Sequence, residues 1–204
     1  GFFHSSEGAT IKNFGIESGM IRGRRYVGSI VGRTMTTTIL NCYNNATVRG
    51  IEDVGGLVGM LNNSDLLNSY NSGEVIATKS MGGLAGSICE SLSPSIDTNV
   101  INAYNIGHVH WGTYSGKVVG YAEKEDYLAT YTNVYYNKQD VPNMSNGTYV
   151  TLNATGLNKA DLMSASFVTT MNNGRNEGYA NWVLGSDDIV RLETGEGKVL
   201  SVDV

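Results

Sequence analysis

"GGLVGMLNNSDLLNSYNSGEV", Gly55 to Val75, joins a glycine-bracketed aliphatic pentad to a short run rich in asparagine and tyrosine. Nearly the same text returns as "GGLAG" at 82–86 and "INAYNIGHV" at 101–109. Aligning "ILNCYNNATV" (39–48), "LLNSYNSGEV" (66–75) and "VINAYNIGHV" (100–109) gives apolar-x-Asn-small-Tyr-Asn-x-(Gly/Ala)-x-Val. Six residues after each closing Val stands a pentad: "GGLVG" at 55–59, "GGLAG" at 82–86 and "GKVVG" at 116–120. A looser copy, "IKNFGIESGM" (11–20) with "GSIVG" (28–32), precedes them, and the half-copy "YTNVYYNKQD" (131–140) follows. Such internal repetition is the first thing to settle in a sequence, because it dictates architecture.

Copies beginning at 11, 39, 66, 100 and 131 are spaced by 28, 27, 34 and 31 residues. The strand-to-pentad part hardly varies, so the extra length falls in one connection per repeat: 33–38, 60–65, 87–99 and 121–130. Insertions restricted to one site per repeat map to loops on one face, often the binding face. Counting back from Ile11 makes "GFFH" (1–4) the tail of a pentad, so the sequence is expected to be a fragment that begins inside a repeat.

The runs are short, carry β-branched and aromatic residues, and are bounded by Gly and Asn, which marks strands and turns. A unit of this size cannot bury its apolar face alone; stacking coil on coil at ~4.8 Å does so. The expectation is an all-β fold, a β-solenoid read as a right-handed parallel β-helix, with a small α+β C-terminal cap. Stacking would raise an Asn ladder (13, 41, 68, 102, 133), a Tyr ladder (43, 70, 104, 135) and an aliphatic ladder from the pentads. We divide the chain into solenoid repeats (1–141) and a connector plus cap (142–204). Within the latter, "LNKADLMSASFVTTMNNG" (157–174) spaces Leu162, Met163, Phe167, Val168 and Met171 as a helix does. Asn158 with Asp161 reads as its cap pair, Gly174 as its stop, and 181–195 as one or two closing strands covering the exposed end of the array.

The pentads and the "N-x-Y-N-x-G-x-V" strands resemble the GLUG-motif repeats of bacterial surface and secreted proteins. The resemblance covers roughly residues 1–140, and "GLNKADLMSASF" with Asn181-Trp182 is similar to the tail that often follows such repeats. It implies an extracellular or bacterial cell-surface location and an adhesin-like role; some members belong to IgA-peptidase-type proteins. No catalytic residue carries over. Phe14-Gly15 replaces the small-Tyr pair in the first copy, and Lys117 the second pentad glycine in the fourth.

Composition narrows the functional classes. A net charge of −5 argues against nucleic acid as the main partner. The arginines 22, 24, 25 and 33 read as a solvated face. No run of 18 apolar residues spans a membrane in this stretch. H-E-x-x-H and G-x-S-x-G are both absent, and His108-x-His110 lacks an evident third metal ligand. Cys42 occupies the small-residue slot of its copy, and Cys89 sits in the 87–99 insertion.

We therefore expect no cofactor, no metal and no catalysis, but a non-enzymatic surface module for adhesion or a stalk. Its partners would be a host-surface protein or glycan and the flanking domains of a longer chain. A polysaccharide-active β-helix lyase or hydrolase is the alternative, resting on fold analogy alone, and a plain spacer is a third reading. Binding, on the adhesion reading, falls on the two long connections, at Glu90 and Ser91 in one and Tyr121, Glu123, Lys124, Asp126 and Tyr127 in the other. The tyrosine ladder reads as structural stacking rather than a glycan platform.

Overall fold

The computed structural model describes residues 1–89, 98–122, 129–139 and 153–193. Copies aligned by sequence lie side by side in space. Ile11, Ile39, Leu66, Val100 and Tyr131 are successive partners in one parallel ladder, so the five copies are five consecutive rungs. Among the described residues every pairing between coils is parallel, and the one antiparallel pair joins Trp182–Leu184 to Val190–Leu192. The result is a β-solenoid with several narrow sheets along its length.

One coil illustrates the path. Val31–Met35 runs along one face, Thr38–Leu40 begins the next, and Asn41 turns the chain towards Tyr43–Asn44. Thr47–Arg49 and Glu52–Gly55 complete the circuit, and the pentad 55–59 turns into the following coil at Val58. The pentad's central aliphatic residue points inward in every copy: Ile30, Leu57, Leu84 and Val118 are all fully buried. Around them pack the strand aliphatics Ile39, Leu66 and Val100 and the small-slot residues Cys42, Ala103 and Val134.

Two asparagines per coil explain the repeat's spelling. The first, Asn13, Asn41, Asn68, Asn102 or Asn133, sits at φ between 45° and 55° in all five copies. A left-handed backbone is costly for most residues, and asparagine is among the few non-glycine types that tolerate it. Its side chain then bonds along the stack: the Nδ2 atoms of Asn41, Asn68 and Asn102 donate to Oδ1 of Asn13, Asn41 and Asn68 at 2.9, 2.8 and 2.7 Å. The second asparagine, after the tyrosine, points inward. Nδ2 of Asn44 donates to Oδ1 of Asn71 at 2.8 Å, and that of Asn71 to Asn105 at 2.9 Å. Each also bonds its own backbone two residues on, through Ala46, Gly73 or Gly107, as an Asx turn does. These amides have no exposed surface, so losing one partner would strand a buried polar group at ~1–3 kcal/mol.

The C-terminal segment departs from expectation in two ways. Helix Ala165–Asn173 is capped by Ser164, whose hydroxyl accepts from the Phe167 amide, and Gly174 is its C-cap. Asn158 stands before the short helix Lys159–Leu162 but makes no capping bond, since the chain turns at Met163–Ser164 and starts a second helix. Nor does the segment close the end of the array as a lid. Among its described residues Thr155–Leu157 extends the stack, pairing in parallel with Tyr135–Asn137, while Phe167 and Trp182 pack on the solenoid's flank. There the segment buries the tyrosine stripe.

Because Leu57 and Leu84 fill the space between coils, truncating either to Ala should cost ~2–5 kcal/mol. Urea denaturation at equilibrium measures it. A loss below that range at both positions would mean that the pentads are not the core.

Candidate functional site

The tyrosine ladder is the first feature to place. Tyr43 and Tyr70 stack with centroids 5.3 Å apart at 6°, and Tyr70 and Tyr104 at 5.4 Å and 13°. Tyr135 continues the register above Tyr104. Below Tyr43 comes Gly15, and a side chain there would strike the Tyr43 ring at 2.1 Å. The Phe14-Gly15 departure is thereby explained: glycine makes room for the terminal ring, while Phe14 turns inward to the small-residue slot, 4.9 Å from Phe2.

The C-terminal segment covers this ladder. Phe167 meets Tyr104 and Tyr135 edge-on, and Trp182 packs 5.9 and 5.7 Å from Tyr70 and Tyr104. Trp182 Nε1 donates to Asn68 Oδ1 at 2.7 Å, Asn68 Nδ2 to the Ala180 carbonyl at 3.0 Å, and the Ala180 amide to Asn41 Oδ1 at 3.0 Å. The Tyr104 hydroxyl donates to the Val190 carbonyl. Gly174 lies so close to Asn102 and Asn133 that a Cβ would fall 2.5 and 2.6 Å from their amide atoms. These residues form a hydrophobic seam edged by asparagine hydrogen bonds.

The proposed binding connections fare differently. Glu90, Ser91, Glu123, Lys124, Asp126 and Tyr127 lie outside the described residues. Tyr121 is described, and it belongs to strand Val119–Ala122 rather than to a loop, paired with Ser87. It leads to a concavity the repeat alignment did not single out.

That concavity is a groove of about 630 Å³ along the solenoid. Its two walls are ladders flanking the pentads. Tyr26, Asp53, Ser80 and Tyr114 stand two residues before each pentad's end strand turns; Arg33, Met60, Ser87 and Tyr121 follow each pentad's last glycine. The walls meet because those glycines lack side chains. A Cβ at Gly59 would lie 2.4 Å from the Tyr26 carbonyl carbon, and one at Gly86 2.3 Å from the Val54 amide nitrogen. The glycine seam thus folds two strands against each other backbone to backbone and leaves a concave angle outside.

The groove is polar and asymmetric. At one end the rings of Tyr114 and Tyr121 lie 4.9 Å apart, tilted by 32°. At the other, the Arg25 guanidinium sits 4.5 Å over the Tyr26 ring and reaches Asp53 at 3.3 Å, while Lys79 reaches Glu52 at 3.3 Å. Asp53 also accepts from Ser80 Oγ at 2.8 Å. Arg33 is exposed and makes no ion pair among the described residues. The Ser87 hydroxyl is buried without a hydrogen-bond partner. A second concavity, about 690 Å³, lies at the first coil among Phe2, Ile16, Met20 and Ile21, and is apolar.

The other sequence candidates resolve simply. His108 and His110 meet edge-to-face at 4.7 Å, and His110 pairs with Glu74 at 2.6 Å; among the described residues no group of three or more metal-ligating side chains converges. Cys42 and Cys89 are not joined in a disulfide, and burial pushes the Cys42 thiol up to about 12. Burial likewise raises the phenols of Tyr70, Tyr104 and Tyr131.

Fold and repeat together define a β-solenoid built from glycine-pentad coils. The family model of the GLUG motif matches residues 23–49, one full coil from the end of one repeat into the next, so the resemblance seen in the sequence is confirmed there. The fold matches a crystal structure from Bacteroides ovatus provisionally described as an immunoglobulin A1 protease, with a TM-score of 0.61 at 19% identity. The match covers 88% of this chain and 56% of that one, so the chain spans little more than half of that structure. No curated protein matches the sequence.

Two outcomes follow from this packing. Trp182→Ala should destabilise the protein by ~3–5 kcal/mol in urea, because the ring and its bond to Asn68 hold the flank segment down; a near-neutral result would mean that the segment is loosely attached. Stability should also fall as pH rises from 9 towards 12. The Cys42 thiol, with an ordinary value of 9.0, ionises in the unfolded chain over that window while the folded chain holds it neutral. The raised tyrosines add to the loss above their ordinary value of 10.0. Equilibrium denaturation across that range measures the slope, and stability that is constant or rising would contradict it.

Proposed function

We propose that this chain is a non-enzymatic adhesion module of a surface or secreted repeat protein, in which a stacked scaffold presents a varied outer face. One observation carries the reading. Inward positions repeat from coil to coil, as Ile30, Leu57, Leu84 and Val118 do, whereas the groove positions change at every rung, as Arg33, Met60, Ser87 and Tyr121 do. A stack needs the first set uniform. Nothing in the stacking requires the second to differ, so the difference supports a recognition surface.

The absence of an enzyme's convergent chemistry is part of the proposal. In the groove the buried carboxylate, Asp53, is occupied by Arg25 and Ser80, which suits a structural role better than that of a general base. A host-surface protein or glycan is the expected partner. The GLUG repeat favours an extracellular or cell-surface setting.

Beads coated with the folded chain should adhere to mammalian epithelial cells and extracellular matrix above albumin-coated beads, and should turn over neither peptide nor polysaccharide substrates. Adhesion equal to the control would reject the module as an adhesin. Substrate cleavage lost on Asp53→Asn would favour the lyase or hydrolase instead.

A further inference from the structure

The groove beside the glycine seam has a chemistry of its own, and we infer that it binds a linear acidic oligosaccharide. This rests on the adhesion reading and names its ligand. The first argument is shape. The walls run along the solenoid over four coils, which at ~4.8 Å per rung makes a trough about 14 Å long, open to chains rather than to compact molecules.

The second argument is the lining. Tyrosine rings stand at both ends, Tyr26 at one and the Tyr114–Tyr121 pair at the other, with the hydroxyl of Ser87 between. Aromatic faces with a polar handle suit a ligand that alternates apolar C–H faces with hydroxyls. Ser87 Oγ, buried and without a partner, is a donor left for such a ligand.

The third argument is charge. Arg25, Arg33 and Lys79 face Glu52 and Asp53, a local excess of cations on a chain whose net charge is −5. Arg25 and Lys79 already pair with those carboxylates, whereas Arg33 makes no ion pair among the described residues. A guanidinium in that position matches a carboxylate or sulfate group on the ligand.

A peptide fits less well. Peptides that dock on sheets add a strand to a free edge, but the groove strands spend their backbone bonds on the coils above and below. Met60 and Ile88 are the main apolar residues on the walls, too few to seat alternate side chains of an extended peptide.

Isothermal titration of the whole chain with an oligogalacturonate hexasaccharide and a heparin-derived hexasaccharide tests this, with neutral cellohexaose as control. The anionic probes should bind, and more weakly at high salt. Tyr121→Ala and Tyr114→Ala should each weaken binding about tenfold, or ~1.4 kcal/mol, as the loss of an aromatic anchor does. Arg33→Gln should weaken the anionic probes and leave any cellohexaose binding unchanged. All three positions are at the surface, and unchanged melting temperatures would show that the variants fold. Absence of binding by both anionic probes, or equal binding by folded wild type and variants, would overturn the proposal. Adhesion retained by the groove variants would sink the groove while sparing the adhesion reading, and saccharide binding without cell adhesion would do the reverse.

Discussion

Parallel stacking at one strand spacing is the constraint on which everything else depends. A side chain that repeats in sequence must meet its own copy one rung above, so only residues that tolerate their own company can recur. Asparagine meets that demand twice. Its amide is both donor and acceptor, so a column of them bonds head to tail, as Asn44, Asn71 and Asn105 do in the interior. At the corners it also accepts the left-handed backbone that Asn13, Asn41, Asn68, Asn102 and Asn133 share. Tyrosine recurs because its rings stack at this separation, 5.3–5.4 Å between centroids.

The two long ladders are put to different uses. Tyrosines and corner asparagines form an inner flank, sealed by Phe167, Trp182 and the turn at Gly178–Ala180. The positions around the pentads form an outer face, where glycines fold the strands into a trough and the side chains differ from rung to rung. The match to the GLUG motif and the shared fold with the Bacteroides ovatus structure both concern the scaffold. On the proposed function, recognition falls to the residues that scaffold leaves free to vary.

The ladder register could be read from the sequence to the residue, since the starts aligned at Ile11, Ile39, Leu66, Val100 and Tyr131 are the strand partners. Repetition made that legible: each copy checks the others. Residues 157–173 carried a helical period but not its break at Met163–Ser164, because two short helices on one face keep nearly the same apolar spacing. Their place along the flank was hidden as well, since which surface a segment covers depends on contacts such as Trp182 with Asn68, more than a hundred residues away. The groove had a signal that was passed over. A residue that changes in every copy immediately beside a constant pentad is visible in the alignment at Arg33, Met60, Ser87 and Tyr121. Tyr121, which the repeat spacing places in a long connection, is a strand residue on the groove wall.

Side-chain amide hydrogen exchange, read by NMR on the native protein, tests the asparagine columns most directly. If they hold the coils in register, the NH₂ groups of Asn44, Asn71 and Asn105 exchange only when the coils separate, as slowly as the most protected backbone amides. Exchange of those side chains at the rate of an exposed asparagine, while the backbone stays protected, would contradict the account.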